Sequence, residues 1–132
     1  MICDRLRDGA ITAIDRSPIM VERARKRNEQ HLASGKATIH LGDLGQLGLP
    51  ERSFTKVFAI NVNLFWVRSP ATELEIIGRL LRPAGALYLF YAPPSDAKGR
   101  AIAEQLSKAI PGAAVELGTN ANAPMVAVIA RL

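Results

Sequence analysis

Two aspartates in this chain close short apolar runs. Asp15 ends residues 10–15 (AITAID), and Asp43 follows residues 37–41 (ATIHL) across a single glycine. Asn61 and Asn63 come directly after a third run, residues 55–60 (TKVFAI). Polar groups in such positions lie where ligands of open parallel sheets gather, outside the carboxyl ends of the strands. A carboxylate there binds by accepting hydrogen bonds, each contributing about 1.5–3 kcal/mol when one partner is charged. Structural accounts compete with this one. Asp15 can be an acid favoured by a nearby helix start, Asp43 a Gly-Asp turn, and Asn61 a loop starter. The chemistry on offer is binding rather than proton transfer. His40 alternates with Ile39 and Leu41 and reads as a solvated or satisfied histidine, His31 falls within a helix, and no residue stands out as a general base. Phe65 and Trp66 could stack on a substrate, but core packing accounts for them better.

The elements that must hold these residues follow from periodicity and punctuation. After the strand ending at Asp15, Ser17 and Pro18 suit the cap and first position of a helix. That helix is expected to run to about residue 34, with Val21, Ala24, Asn28 and Leu32 on one face, and Gly35 stops it. Residues 37–41 form the second strand, and 44–53 carry the Gly and Pro of a loop. The third strand, 55–60, has the continuous apolar second half of a parallel strand buried on both faces. Ser69-Pro70 repeats the cap-and-proline start, with Leu74, Ile77 and Leu81 inward, before Arg82-Pro83-Ala84-Gly85 turns the chain, expectedly in a type I turn. A strand at 86–91, a helix at 97–110 with Ile102, Leu106 and Ala109 inward, and strands at 113–117 and 125–130 complete the order. The seven residues 118–124 permit an antiparallel return but are too few for a helical crossover. Strands alternating with helices predict an α/β fold, a three-layer sandwich whose mostly parallel sheet ends in an antiparallel C-terminal strand.

Composition narrows the function classes. With 132 residues, 48% of them hydrophobic, the chain fits one domain with a real core. No apolar run approaches the roughly 20 residues that span a bilayer, and the first residues lack a signal-peptide core, so a cytoplasmic protein without a membrane partner is expected. The single cysteine, Cys3, excludes an intrachain disulfide and a thiol-rich zinc site, and no metal is expected. The net charge of +5 would tolerate nucleic acid. Its densest cluster, Arg23, Arg25, Lys26 and Arg27, reads instead as a solvated helix face near a cation-favouring C-terminus, so nucleic acid is not an expected partner.

Three stretches in order, AIDRSPIMVERARKRN, HLGDLGQLGLPERSFTKVFAINV and IIGRLLRPAGALYLFY, resemble the consecutive motifs of class I (Rossmann-like) methyltransferases over about residues 9–93. The resemblance implies S-adenosylmethionine as cofactor and a small molecule as methyl acceptor. It assigns Asp15 to the two ribose hydroxyls, Met20 to the side of the adenine, Asp43 to the adenine amino group and the Leu44 N–H to a ring nitrogen. Arg16 and Asn61 complete the implied cofactor set. Methyl transfer can be driven mostly by positioning a nucleophile, which suits a chain with no evident base.

In the same family a first strand and a Gly-x-Gly-x-Gly loop precede the position of Gly9 by some twenty residues, where this chain has eight. Residues 1–8 resemble the tail of the first helix, with Ile2 and Leu6 as its apolar side. With the family's strand order 3-2-1-4-5-7-6, the strands ending at Asp15 and Ile60 would lose a shared central partner. Buried unpaired backbone groups cost about 1–3 kcal/mol each, so three arrangements are open: direct pairing of those strands, a homodimer through the unpaired edges, or a natural start further upstream. An alternative to catalysis follows, a self-associating remnant serving as a scaffold or partner-binding module. Where the family shows Pro-Gly-Gly, this chain has Pro83-Ala84-Gly85.

Overall fold

A computed structural model describes residues 2–132. They form two compact units, one ending at Gly48 and the other running Leu49–Leu132. Both are α/β, and the six strands divide between a two-stranded and a four-stranded sheet.

The first unit contains α1 (Ile2–Arg5), β1 (Ile11–Asp15), α2 (Pro18–Arg27), α3 (Glu29–Ala33) and β2 (Ala37–Leu41). β1 and β2 pair in parallel, Ile11 opposite Ala37 through to Asp15 opposite Leu41. Ser17 caps α2 as its type suggests: its Oγ accepts from the Met20 N–H, and Pro18 opens the helix. The helix expected to reach residue 34 breaks at Asn28. There the side-chain amide donates to the Ala24 carbonyl at 2.8 Å, a bond that competes with helix continuation, and α3 restarts one residue later. Gly35, at φ +78°, ends that second piece. Val21, Ala37 and Ile39 are buried with Cys3, while Ile2, expected to face inward, is half-exposed. The Arg25 guanidinium ties α2 to β2 by donating to the Ile39 carbonyl at 3.0 Å.

The second unit contains β3 (Phe54–Ile60), α4 (Leu64–Val67), α5 (Ala71–Leu80), β4 (Leu81–Tyr91), α6 (Asp96–Ala109), β5 (Ala114–Asn120) and β6 (Ala123–Ala130). Its sheet runs β3-β4-β6-β5, with β3 parallel to β4 and the last two strands antiparallel, as their close spacing requires. Leu87, Leu89, Val126 and Val128 are fully buried with Ile77 and Leu106, each such side chain stabilising by about 1.5–3 kcal/mol. β1 and β3 belong to different units and to separate sheets.

Four local expectations need correction. Ser69 does not cap α5, whose cap position is Pro70 and carries no side-chain hydrogen bond. The seven-residue return is a two-residue turn: β5 and β6 zip to Asn120 opposite Ala123, and Ala121 and Asn122 take φ +50° and +66°. That pair of positive φ values matches the twist of a hairpin. Ala84 sits at φ +66°, so residues 82–85 do not make a type I turn but a left-handed kink within β4. Gly85 beside it is needed for space, since an added Cβ would lie 2.9 Å from the Arg82 carbonyl oxygen and 3.1 Å from that of Thr55. Lastly, β3 is not buried on both faces, because Phe58 and Ile60 are exposed on one of them. Among the described residues no helix is long and apolar enough to cross a membrane.

Candidate functional site

The parallel register of the first unit brings the two aspartates to one end of one sheet. Asp15 is the last residue of β1 and faces Leu41, the last of β2; Asp43 follows two residues on. The Gly42 N–H continues the ladder by donating to the Asp15 carbonyl at 2.9 Å. Gly42 itself has φ +152°, and a Cβ there would come within 3.0 Å of the Leu47 side chain, so glycine allows the close turn that directs the chain into Asp43.

Each carboxylate is oriented but not consumed. Asp15 Oδ1 accepts from the Ser17 N–H at 2.8 Å, and Ser17 in turn accepts from the Met20 N–H, so aspartate, cap and helix start form one hydrogen-bonded corner. This bond gives Asp15 a structural role at the helix start without using its Oδ2. Asp43 Oδ1 receives a long contact, 3.4 Å, from the Gly45 N–H, while its carbonyl accepts from Gln46. Both side chains are exposed, and among the described residues the Leu44 N–H has no acceptor. Met20 is 49% exposed, with Ile19 more so. Arg16 is exposed and makes no ion pair with a described residue.

Asn61 belongs to the second unit, at the end of β3, and its amide oxygen is committed. It accepts from the Ala92 N–H at 2.9 Å while the Asn61 N–H donates to the Phe90 carbonyl, joining the ends of β3 and β4. Its φ of +56° is one that asparagine tolerates better than most residues. The Tyr91 hydroxyl reinforces the junction by donating to the Val62 carbonyl at 2.7 Å, and burial pushes that phenol well above its ordinary pKa. Nothing in the sequence pattern separates Tyr91 from other core aromatics. Asn63 accepts from the Trp66 indole, Phe65 is buried in the core, and the Trp66 ring lies under the Lys98 ammonium at 4.6 Å. Trp66 also lines a cleft of about 370 Å³ with Arg68, Gln105 and Lys108. Two carboxylates hold the basic groups of that cleft, since Arg68 pairs with Glu73 and Lys108 with Glu104. His31 lies 3.4 Å from the Asp4 carboxylate, and His40 is half-buried on β2, register partner of Ile14.

The profile of a family described as "Methyltransferase domain" matches residues 1–85, which takes in both aspartates and the chain through Gly85. The chain belongs to the methyltransferase domain family. Among curated proteins, the malonyl-acyl-carrier-protein O-methyltransferase of Priestia megaterium is 29% identical to this methyltransferase domain over 87 residues. The match covers 66% of the chain and only 30% of that enzyme. A SAM-dependent methyltransferase from Aquifex aeolicus superposes with TM-score 0.68 at 18% identity, over 94% of this chain and 69% of its own. A putative O-methyltransferase from Klebsiella pneumoniae gives 0.67 at 13% identity, over 99% and 66%. At these identities the solved structures share the Rossmann-like fold of the methyltransferase domain.

Proposed function

We propose that this methyltransferase domain takes part in S-adenosylmethionine-dependent methyl transfer to a small-molecule nucleophile in the cytoplasm, and that its first unit holds the nucleoside of the cofactor. One observation carries the reading: Asp15 and Asp43 leave the carboxyl ends of adjacent, hydrogen-bonded parallel strands. The donor set fits a nucleoside. Asp15, held by the Ser17 N–H, keeps lone pairs for two vicinal hydroxyls. Asp43 is free to accept from an exocyclic amine, and the uncommitted Leu44 N–H is free to donate to a ring nitrogen. The half-exposed Met20 offers an adaptable apolar surface to a flat base, and the neighbouring Arg16 is exposed beside it. Asn61 stands in the other unit, and its place in the cofactor set rests on the motif resemblance alone. When bound, S-adenosylmethionine supplies an electrophilic methyl group on a sulfonium. The residues of this chain bind and orient, and no side chain is assigned as a base.

Thermal unfolding with added S-adenosylmethionine tests the reading. Free cofactor at 100 times its dissociation constant should stabilise the protein by about 2.7 kcal/mol. Adenosine alone should give a smaller shift through the same aspartates. No shift with either compound at millimolar concentration would refute the proposal and favour a non-catalytic scaffold.

A further inference from the structure

The cleft of about 370 Å³ is walled entirely by the second unit: by α4, by the link through Ser69 and Pro70 into α5, and by the C-terminal half of α6. That volume is at the low end of small-molecule sites. Among the described residues its wall carries two cations, Arg68 and Lys108, the neutral polar groups of Ser69 and Gln105, and no carboxylate. Glu73 and Glu104, which pair with those cations, stand outside the wall. The two cations are held differently. Arg68 Nη2 donates to Glu73 at 2.6 Å, and the Glu73 side chain is only 16% exposed, so the guanidinium is fastened. Lys108 reaches Glu104 one helical turn away, with both side chains about two-thirds exposed. Exposed pairs of this kind contribute little, so an incoming anion can take the place of Glu104.

The aromatic side of the cleft is preset. The Trp66 indole N–H donates to Asn63 Oδ1 at 3.3 Å, and the Lys98 ammonium lies 4.6 Å from the ring centroid, so the ring is held at its edge and over one face. The exposed Val67 adds apolar surface beside it. Three cations, Arg68, Lys98 and Lys108, stand against two carboxylates, Glu73 and Glu104. One net positive charge remains in the cluster, which matches a monoanion better than a dianion.

We propose that this cleft binds a small aromatic carboxylate. Its ring lies against Trp66 and Val67, and its carboxylate accepts from Lys108, which releases Glu104, and from the Gln105 amide. Arg68 keeps Glu73 and contributes its charge. The site is confined to the second unit and stands apart from the nucleoside reading, so its test uses the protein without S-adenosylmethionine.

Trp66 is the single tryptophan, so its emission, excited beyond the absorption of a phenyl ring, reads the cleft directly. Phenylacetate is the probe, added at constant ionic strength. A cleft open to solvent holds so small a ligand with a dissociation constant on the order of 1 mM, so a titration to about 20 mM should saturate. Acetate lacks the ring and phenylethanol the charge, and each should bind about fivefold more weakly or worse. Lys108→Ala should weaken phenylacetate by about fivefold or more, whereas Glu104→Gln, which removes the competing carboxylate, should tighten it about two- to threefold. Lys56→Ala makes the same change in net charge on β3, outside the cleft, and should bind as wild type does. Lys108, Glu104 and Lys56 are all exposed, so the fold does not depend on them. Should the emission prove insensitive, the indole N–H resonance of Trp66 follows the same titration. A response that never saturates, acetate or phenylethanol binding as well as phenylacetate, Lys108→Ala binding as wild type does, or Glu104→Gln binding no more tightly would overturn the proposal.

Discussion

Replacing Ala84 with glycine should stabilise the second unit, although it removes a side chain and touches no contact. Ala84 is held at φ +66°, where an L-residue is disfavoured by roughly 1–2 kcal/mol because its Cβ crowds the following carbonyl. Glycine relieves that strain but makes the unfolded chain more flexible, at a cost of about 0.4–1 kcal/mol. The central values leave a gain of about 0.8 kcal/mol. The Ala84 carbonyl, which accepts from Arg131 at 2.9 Å, is kept by the substitution. The neighbouring Gly85→Ala is the matched opposite: its Cβ would meet two backbone oxygens at 2.9 and 3.1 Å, neither of which can move cheaply, so it should destabilise by about 1–3 kcal/mol. Urea unfolding followed by the fluorescence of Trp66, the single tryptophan, reports on this unit. Equal midpoints for wild type and Ala84→Gly, or a stabilising Gly85→Ala, would refute the kink and the reasoning built on it.

The β5–β6 turn makes a similar prediction. Ala121→Asn puts a residue that tolerates positive φ where alanine is strained, and should slow amide exchange across the hairpin by a few tenths to about 1 kcal/mol. Tyr91→Phe removes the donor to the Val62 carbonyl and should cost about 1–2 kcal/mol in urea unfolding, with loss below a few tenths contradicting the junction. The same phenol fixes a pH dependence. Burial raises the folded-state pKa of Tyr91, so its stabilising effect is full below the ordinary tyrosine value of 10.0 and is lost as pH rises above it. Wild-type stability should therefore fall above that pH more steeply than that of Tyr91→Phe, as parallel urea titrations would show.

Much of the first unit is legible in the sequence because its signals are local. Ser17-Pro18 marks a helix start through its own cap, although the same pair at Ser69-Pro70 does not cap α5, and apolar runs followed closely by acids mark both strands and their carboxyl ends. The hidden features depend on neighbours. Asn28 interrupts its helix through a side-chain bond to the backbone that periodicity does not register. Asn61 reads as a ligand-facing amide, yet its oxygen is used by the Ala92 N–H, a partner 31 positions away. Ala84 and Ala121 adopt left-handed φ against their own preference, imposed by the kinked strand and by hairpin closure. Phe58 and Ile60 read as doubly buried because composition cannot tell a covered face from a bare one. The helical stripes of α5 and α6 are largely visible in the periodicity, since Ile77, Ile102 and Leu106 are buried at the expected spacing. The short α4 is not, for a single turn leaves too little periodicity to read.

Isothermal titration of S-adenosylmethionine into the wild-type chain, Asp15→Asn and Asp43→Asn tests the nucleoside site most directly. Asparagine keeps the shape and the acceptor for Ser17 while removing the charge. A charged hydrogen bond of about 1.5–3 kcal/mol predicts affinity weaker by about ten- to a hundredfold in Asp15→Asn, and a smaller loss in Asp43→Asn. Wild-type binding left unchanged by both substitutions would contradict the assignment of these strand ends to the cofactor.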